Sequence, residues 1–184
     1  MLLFQGKLFM KGFKTIGLSL CTIIIVTTTS LTAQISSWSF ESIRSEIDPM
    51  HAISQQEQGD NQFTLLLSGA NKPFVNGSWS KTFSVVPDQH YEFVTYFQSE
   101  NVEEIDRSIL ASITWLDNQG KRIGFIEYPG LVSYQVDEWR KIQQIYQVPN
   151  QAVKAKVNLI YRWDPDGLVY FSEAELTNTS AANS

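Results

Sequence analysis

From residue 37 onward, apolar and polar side chains alternate with a period of two, the spacing of a half-buried β-strand. The clearest run is Val153 to Trp163. Val153, Ala155, Val157, Leu159, Tyr161 and Trp163 share one face, while Lys154, Lys156, Asn158, Ile160 and Arg162 share the other. Asp164-Pro165-Asp166-Gly167 follows with turn chemistry, Pro fixing φ and Gly supplying φ > 0. A second strand from Leu168 to Leu176 then completes an expected hairpin. Ser78 to Val85, His90 to Gln98 and Arg107 to Leu116 alternate in the same way. Asp117-Asn118-Gln119-Gly120 is another turn, leading into a strand over Lys121 to Glu127. Shorter strands fit Ser37 to Ile43, Gln62 to Ser68 and Trp139 to Gln147. No window holds helical i, i+3, i+4, i+7 spacing for three turns, and Asn101 to Asp106 offers one charged turn. Eight or nine strands with regularly spaced turns predict an all-β fold, a two-sheet antiparallel β-sandwich of the jelly-roll type.

The first residues read differently. Lys7, Lys11 and Lys14 precede an apolar run from Ile16 to Val26, and a small, polar stretch closes on Ala33. A charged start, a short apolar centre and a small-residue exit describe a secretory signal peptide over residues 1–33. The run is shorter than the roughly 20 apolar residues that span a bilayer, so stable membrane insertion after cleavage is not expected. The expected location is secreted or periplasmic. Of the 184 residues, 151 remain after cleavage. The leader removes three lysines and no acid, so the formal charge moves from −5 to −8. The sandwich is expected over residues 34–177, with 178–184 a flexible polar tail.

An acidic chain with no basic face is not a nucleic-acid binder. The one cysteine, Cys21, lies in the leader, so neither a disulfide framework nor a thiolate metal cluster is available. Two histidines, His51 and His90, supply neither a nucleophile–base pair nor a zinc site. Glu-Ile-Asp occurs at residues 46–48 and 104–106 and is similar to the opening of a laminarinase-type glycosidase motif. That motif needs a glutamate where His51 and Ile109 stand. Glu173 and Glu175 share one face of a strand about 7 Å apart and read as a solvated edge. The chain is therefore not expected to be an enzyme. No cofactor is implied beyond a structural calcium at Glu41 on the first strand and Glu173 on the last.

The aromatic residues carry the remaining signal. Sugars stack on aromatic rings while nearby polar side chains catch hydroxyls. Tyr96, Asn158 and Arg162 occupy the polar class of their strands. The stretch Tyr128 to Glu138 reads as a long loop carrying Tyr128 and Tyr134 and running into Trp139. If those strands adjoin, Tyr96, Asn158 and Arg162 share a concave face rimmed by the two tyrosines, a carbohydrate-binding surface.

The segments Trp79-Ser80-Lys81-Thr82-Phe83, Trp115-Leu116-Asp117-Asn118-Gln119-Gly120, Val148-Pro149 and Gly167-Leu168-Val169-Tyr170-Phe171 together resemble the carbohydrate-binding-module-like jelly rolls of the broad galactose-binding-like group. The arrangement is also similar to accessory domains that precede secreted carbon–nitrogen hydrolase domains. The resemblance implies a non-catalytic, lectin-like module whose partner is a carbohydrate. The alternatives are an accessory jelly roll that binds a partner protein, or a small glycosidase or lyase. The group's usual calcium-binding aspartate is replaced here by Ser172, with Glu173 next.

Overall fold

The computed structural model describes residues 37–55, 63–136, 138–172 and 174–180. The expected leader, its cleavage point and Glu173 lie outside the described residues. Among the described residues, eleven strands form two antiparallel sheets. They are β1 (Ser39–Glu41), β2 (Met50–Gln55), β3 (Phe63–Ser68), β4 (Asn76–Ser84), β5 (His90–Glu100), β6 (Ile109–Leu116), β7 (Leu131–Val136), β8 (Trp139–Gln147), β9 (Lys154–Arg162), β10 (Leu168–Ser172) and β11 (Glu175–Asn178). A single helical turn, α1 (Ile105–Ser108), precedes β6 where the charged turn was expected. A 3-10 turn over Ser45–Ile47 links β1 to β2. No helix among the described residues is long and apolar enough to cross a membrane.

The smaller sheet runs β1-β4-β9-β6, and the larger runs β2-β3-β10-β5-β8-β7 with β11 also paired to β5. The two sheets make the two-layer β-sandwich that the alternation predicts. Inward residues of both layers fill one core, with Ala155, Val157, Leu159 and Tyr161 of β9 buried together with Phe93 and Phe97 of β5 and Phe171 of β10. Side chains also meet across the two layers. The Trp115 and Tyr146 rings meet edge-on at 6.2 Å. Trp79 Nε1 donates to the Leu66 carbonyl at 3.1 Å. Phe40 stacks on His51 at 3.7 Å.

Three departures from the pattern matter for the site. First, β9 and β10 do not form a hairpin; β9 lies in the smaller sheet and β10 in the larger. Alternation gives each strand a face but not a partner, and turn residues serve a crossover as well as a hairpin. Here the strand stops at Arg162, and Trp163 takes a left-handed φ of 66°. Buried Asp164 then ties the crossover, its carboxylate accepting from the backbone N–H of Glu103, Asp166 and Gly167. A Cβ on Gly167 would lie 2.3 Å from the Tyr161 hydroxyl, so the chain there can only be glycine without displacement. Second, residues 121–127 are no strand. They meet β6 only at the Leu116–Arg122 and Ile113–Glu127 bridges. Third, the stretch 128–138 is not a long loop, because it contains β7 paired to β8.

The C-terminal segment splits where one strand was expected: β10 ends at Ser172 and β11 begins at Glu175 on the same neighbour, β5. Beyond residue 177, Asn178 still pairs with Tyr91, and Thr179 N donates to the His90 carbonyl at 2.9 Å.

Candidate functional site

Parity along β9 directs Lys154, Lys156, Asn158, Ile160 and Arg162 outward from the smaller sheet. In register across β4, β9 and β6, Ser80, Asn158 and Ser112 form one polar row. Asn158 Nδ2 donates to Ser112 Oγ at 3.3 Å, while its buried Oδ1 has no partner. Next to this row, a cleft of about 230 Å³ opens between Ser42, Ile43, Asn76 and Asn158. Glu41 also lines it, but Lys156 Nζ sits 2.7 Å from the Glu41 carboxylate. Among the described residues, no group of three or more His, Cys, Asp or Glu side chains could hold a metal.

The chemistry concentrates at the end of this face, where β9 leaves the sheet. Because Trp163 breaks the strand alternation, its indole turns out of the core class in which the sequence pattern places it and is 46% exposed. The Arg162 guanidinium lies over that ring, 3.9 Å from its centroid, with Arg107 at 5.2 Å. Arg162 Nε donates to the Arg107 carbonyl at 3.0 Å. Burial pushes the Arg162 pKa down from its ordinary value; a Tyr128 phenolate would oppose this, and the Arg107 charge adds to it. Tyr128 itself is 58% exposed.

Phe74 lies next to this corner along the backbone. Trp163 N donates to the Val75 carbonyl at 2.7 Å, so Phe74 stands one residue from this junction, strongly exposed and also at a left-handed φ, 61°. Two bulky aromatics at positive φ, both turned to solvent, are a costly arrangement that local structure must enforce. Beside Trp163 a cleft of about 330 Å³ is lined by Glu103, Glu104, Arg107, Asp164 and Asp166.

The residues singled out from the sequence divide between two opposite surfaces. Tyr128, Asn158 and Arg162 belong to the outer side of the smaller sheet. Tyr96 belongs to the outer side of the larger sheet, opposite Lys141 of β8, whose Nζ lies 5.7 Å from the phenol ring centroid. Trp139 opens β8 half-buried, and Tyr134 lies on β7 with its side chain outside the described residues. The expected concave face joining Tyr96 to Asn158 and Arg162 therefore does not exist: β5 pairs with β8, β10 and β11, never with β9. A β9–β10 hairpin would have joined them, since β10 is a neighbour of β5, but β9 lies in the other sheet. The sequence pattern does not single out Trp163, Phe74 or Arg107. The signal available for Trp163 was its place immediately before Asp-Pro-Asp-Gly, where a strand must end.

No protein-family model matches the chain, and no curated protein matches it significantly. Solved structures do match in fold. The enzymatically active domain of Bacteriophage CBA120 tailspike protein 4 superposes with a TM-score of 0.55 at 16% identity, covering 78% of this chain and 20% of that one. The chain thus spans about a fifth of the tailspike chain it matches. An arabinose-bound GH51 α-L-arabinofuranosidase gives 0.52 at 12% identity, covering 79% of this chain and 24% of that one. The C-terminal family 22 carbohydrate-binding module of Clostridium thermocellum Xyn10B gives 0.51 at 13% identity, covering 80% of this chain and 90% of that one. The chain shares the jelly-roll fold of carbohydrate-binding modules.

Proposed function

We propose that the chain is a secreted, non-catalytic carbohydrate-binding module whose ligand surface is the corner formed by Arg162, Trp163, Tyr128 and Phe74. The observation that carries this reading is the exposed Trp163 indole beside Arg162 at the mouth of the 330 Å³ cleft. Exposed aromatic rings offer apolar faces to sugar C–H groups, and amide, guanidinium and carboxylate groups offer hydroxyl partners. The lysine-bearing start and apolar run of the chain support export. The fold shared with a family 22 carbohydrate-binding module supports binding without turnover, although fold alone does not fix function.

Isothermal titration against soluble polysaccharides tests the reading. Binding by the wild type that Trp163→Ala weakens at least about fivefold is expected from the loss of one aromatic contact. Absence of binding to every neutral and acidic polysaccharide overturns it. A second reading, an accessory module that binds a partner protein, draws on Phe125, which is 87% exposed on the segment flanking β6. Under that reading the glycan titrations stay flat, and Phe125→Ser abolishes capture of the partner.

A further inference from the structure

The Arg162 side chain is held in a way that leaves one edge of it unused. Its face is taken by the Trp163 indole at 3.9 Å. Its Nε is taken by the Arg107 carbonyl at 3.0 Å. Among the described residues, no acceptor lies on either terminal nitrogen and no carboxylate pairs with the group. Of the acids nearby, Glu104 pairs with Arg107 at 3.3 Å, while Glu103 and Asp166, which line the cleft beside Trp163, make no ion pair with Arg162. The Arg107–Glu104 pair is exposed on both sides and so of small energetic weight.

We infer that the sugar bound at this corner carries a carboxylate, and that the free edge of Arg162, with Arg107 beside it, reads that group. The inference rests on the carbohydrate-binding reading and narrows it to uronate-containing polysaccharides. A guanidinium presents parallel N–H donors that match the two oxygens of a carboxylate. Stacking on an indole fixes the plane of the fork before the ligand arrives, so less freedom is lost on binding. Two guanidiniums share one ring here, and of the two only Arg107 has a carboxylate partner among the described residues. The Arg162 pKa is depressed first by burial, with the Arg107 charge adding to the shift. The exposed Tyr128 phenol bears electrostatically on Arg162 and offers a hydroxyl donor to the ligand.

The experiment is a titration of the full chain with polygalacturonate, with neutral galactan, with carrageenan as a sulfated glycan and with polyglutamate as a carboxylate polymer without sugar. Charge-assisted bidentate contacts predict that polygalacturonate binds about 10- to 100-fold more tightly than galactan. Arg162→Ala should erase that preference while leaving residual galactan binding, and Arg162→Lys should recover only a minor part of it, because a point charge lacks the fork. Thermal melts of both variants check folding, and Arg107→Ala, which spares the Arg162 stack, should weaken polygalacturonate binding several-fold. Equal affinity for galactan and polygalacturonate overturns the inference and leaves the carbohydrate-binding reading standing. Tighter binding of carrageenan, or polyglutamate binding as well as polygalacturonate, also overturns it. Failure to bind any of the glycans overturns both.

Discussion

The two outer faces of the sandwich start from the same pattern and end in opposite states. On the larger sheet, Tyr96 keeps its place in a regular strand, its N–H donating to Ser172 Oγ at 3.0 Å and its ring covered by the cross-strand Lys141. On the smaller sheet, the strand that carries Arg162 runs out one residue later, and the chain turns away at Trp163 with a left-handed backbone. The first face satisfies itself. The second leaves an aromatic ring in solvent and a guanidinium with an unused edge. Under the proposed reading, a tyrosine on the polar side of a strand is a weaker pointer to a ligand than a tryptophan placed where a strand must stop.

The largest expected effect comes from dissolving the crossover that separates the two faces. Asp164→Ala removes the acceptor of three backbone N–H groups and should cost about 3–5 kcal/mol of stability, at roughly 1–3 kcal/mol for each donor left unpaired in a buried site. Chemical denaturation measures it, and a cost below about 1 kcal/mol would mean that the Trp163 corner is not held by this knot. Next in size, Arg162→Ala should weaken binding of an acidic polysaccharide by about 1.5–3 kcal/mol without a comparable loss of stability. Calorimetry on both variants separates the two quantities.

Much of this was legible in the sequence, and the reason is parity. Where one face of a strand is buried, a period of two fixes which residues point inward, so Val157, Leu159, Phe93 and Phe97 could be assigned to the core before any pairing was known. Pairing itself is not written in the alternation. Asp164-Pro165-Asp166-Gly167 is compatible with a hairpin or with a passage between layers; the choice depends on Glu103 N–H and the Tyr161 hydroxyl, which are remote in sequence or buried. The candidate site inherited that ambiguity. Asn158, Arg162 and Tyr128 were found on one side and Tyr96 was wrongly joined to them. The parity of β9, extended by one residue, puts Trp163 with the inward set, from which its left-handed backbone releases it.

The space between the layers offers a test from the other side. Tyr146 of β8 packs edge-on against Trp115, and burial pushes its pKa up to about 12, with Glu127 from the segment flanking β6 adding to the rise. A phenol whose folded pKa exceeds its unfolded value of about 10 favours folding fully below pH 10, and that contribution drains away as the pH climbs from 10 to 12. Melting temperature should therefore fall more steeply above pH 10 in the wild type than in Tyr146→Phe; parallel curves would place no such phenol between the sheets. The smallest effects are expected on the ligand. Tyr128→Ala should cost about 0.5–1.5 kcal/mol of glycan binding, the worth of one exposed aromatic contact. Tyr96→Ala should change affinity by less than about twofold, since its ring already has Lys141 as its neighbour.

The tryptophans allow the two faces to be read in one spectrum. Each of the five indoles gives its own N–H resonance, and two of them report the alternatives: Trp163 at the corner of the smaller sheet and Trp139 at the start of β8 in the larger. On titration with polygalacturonate, the Trp163 resonance should move and saturate while that of Trp139 stays in place. Movement of Trp139 with a stationary Trp163 would put the ligand on the opposite face and contradict the assignment made here.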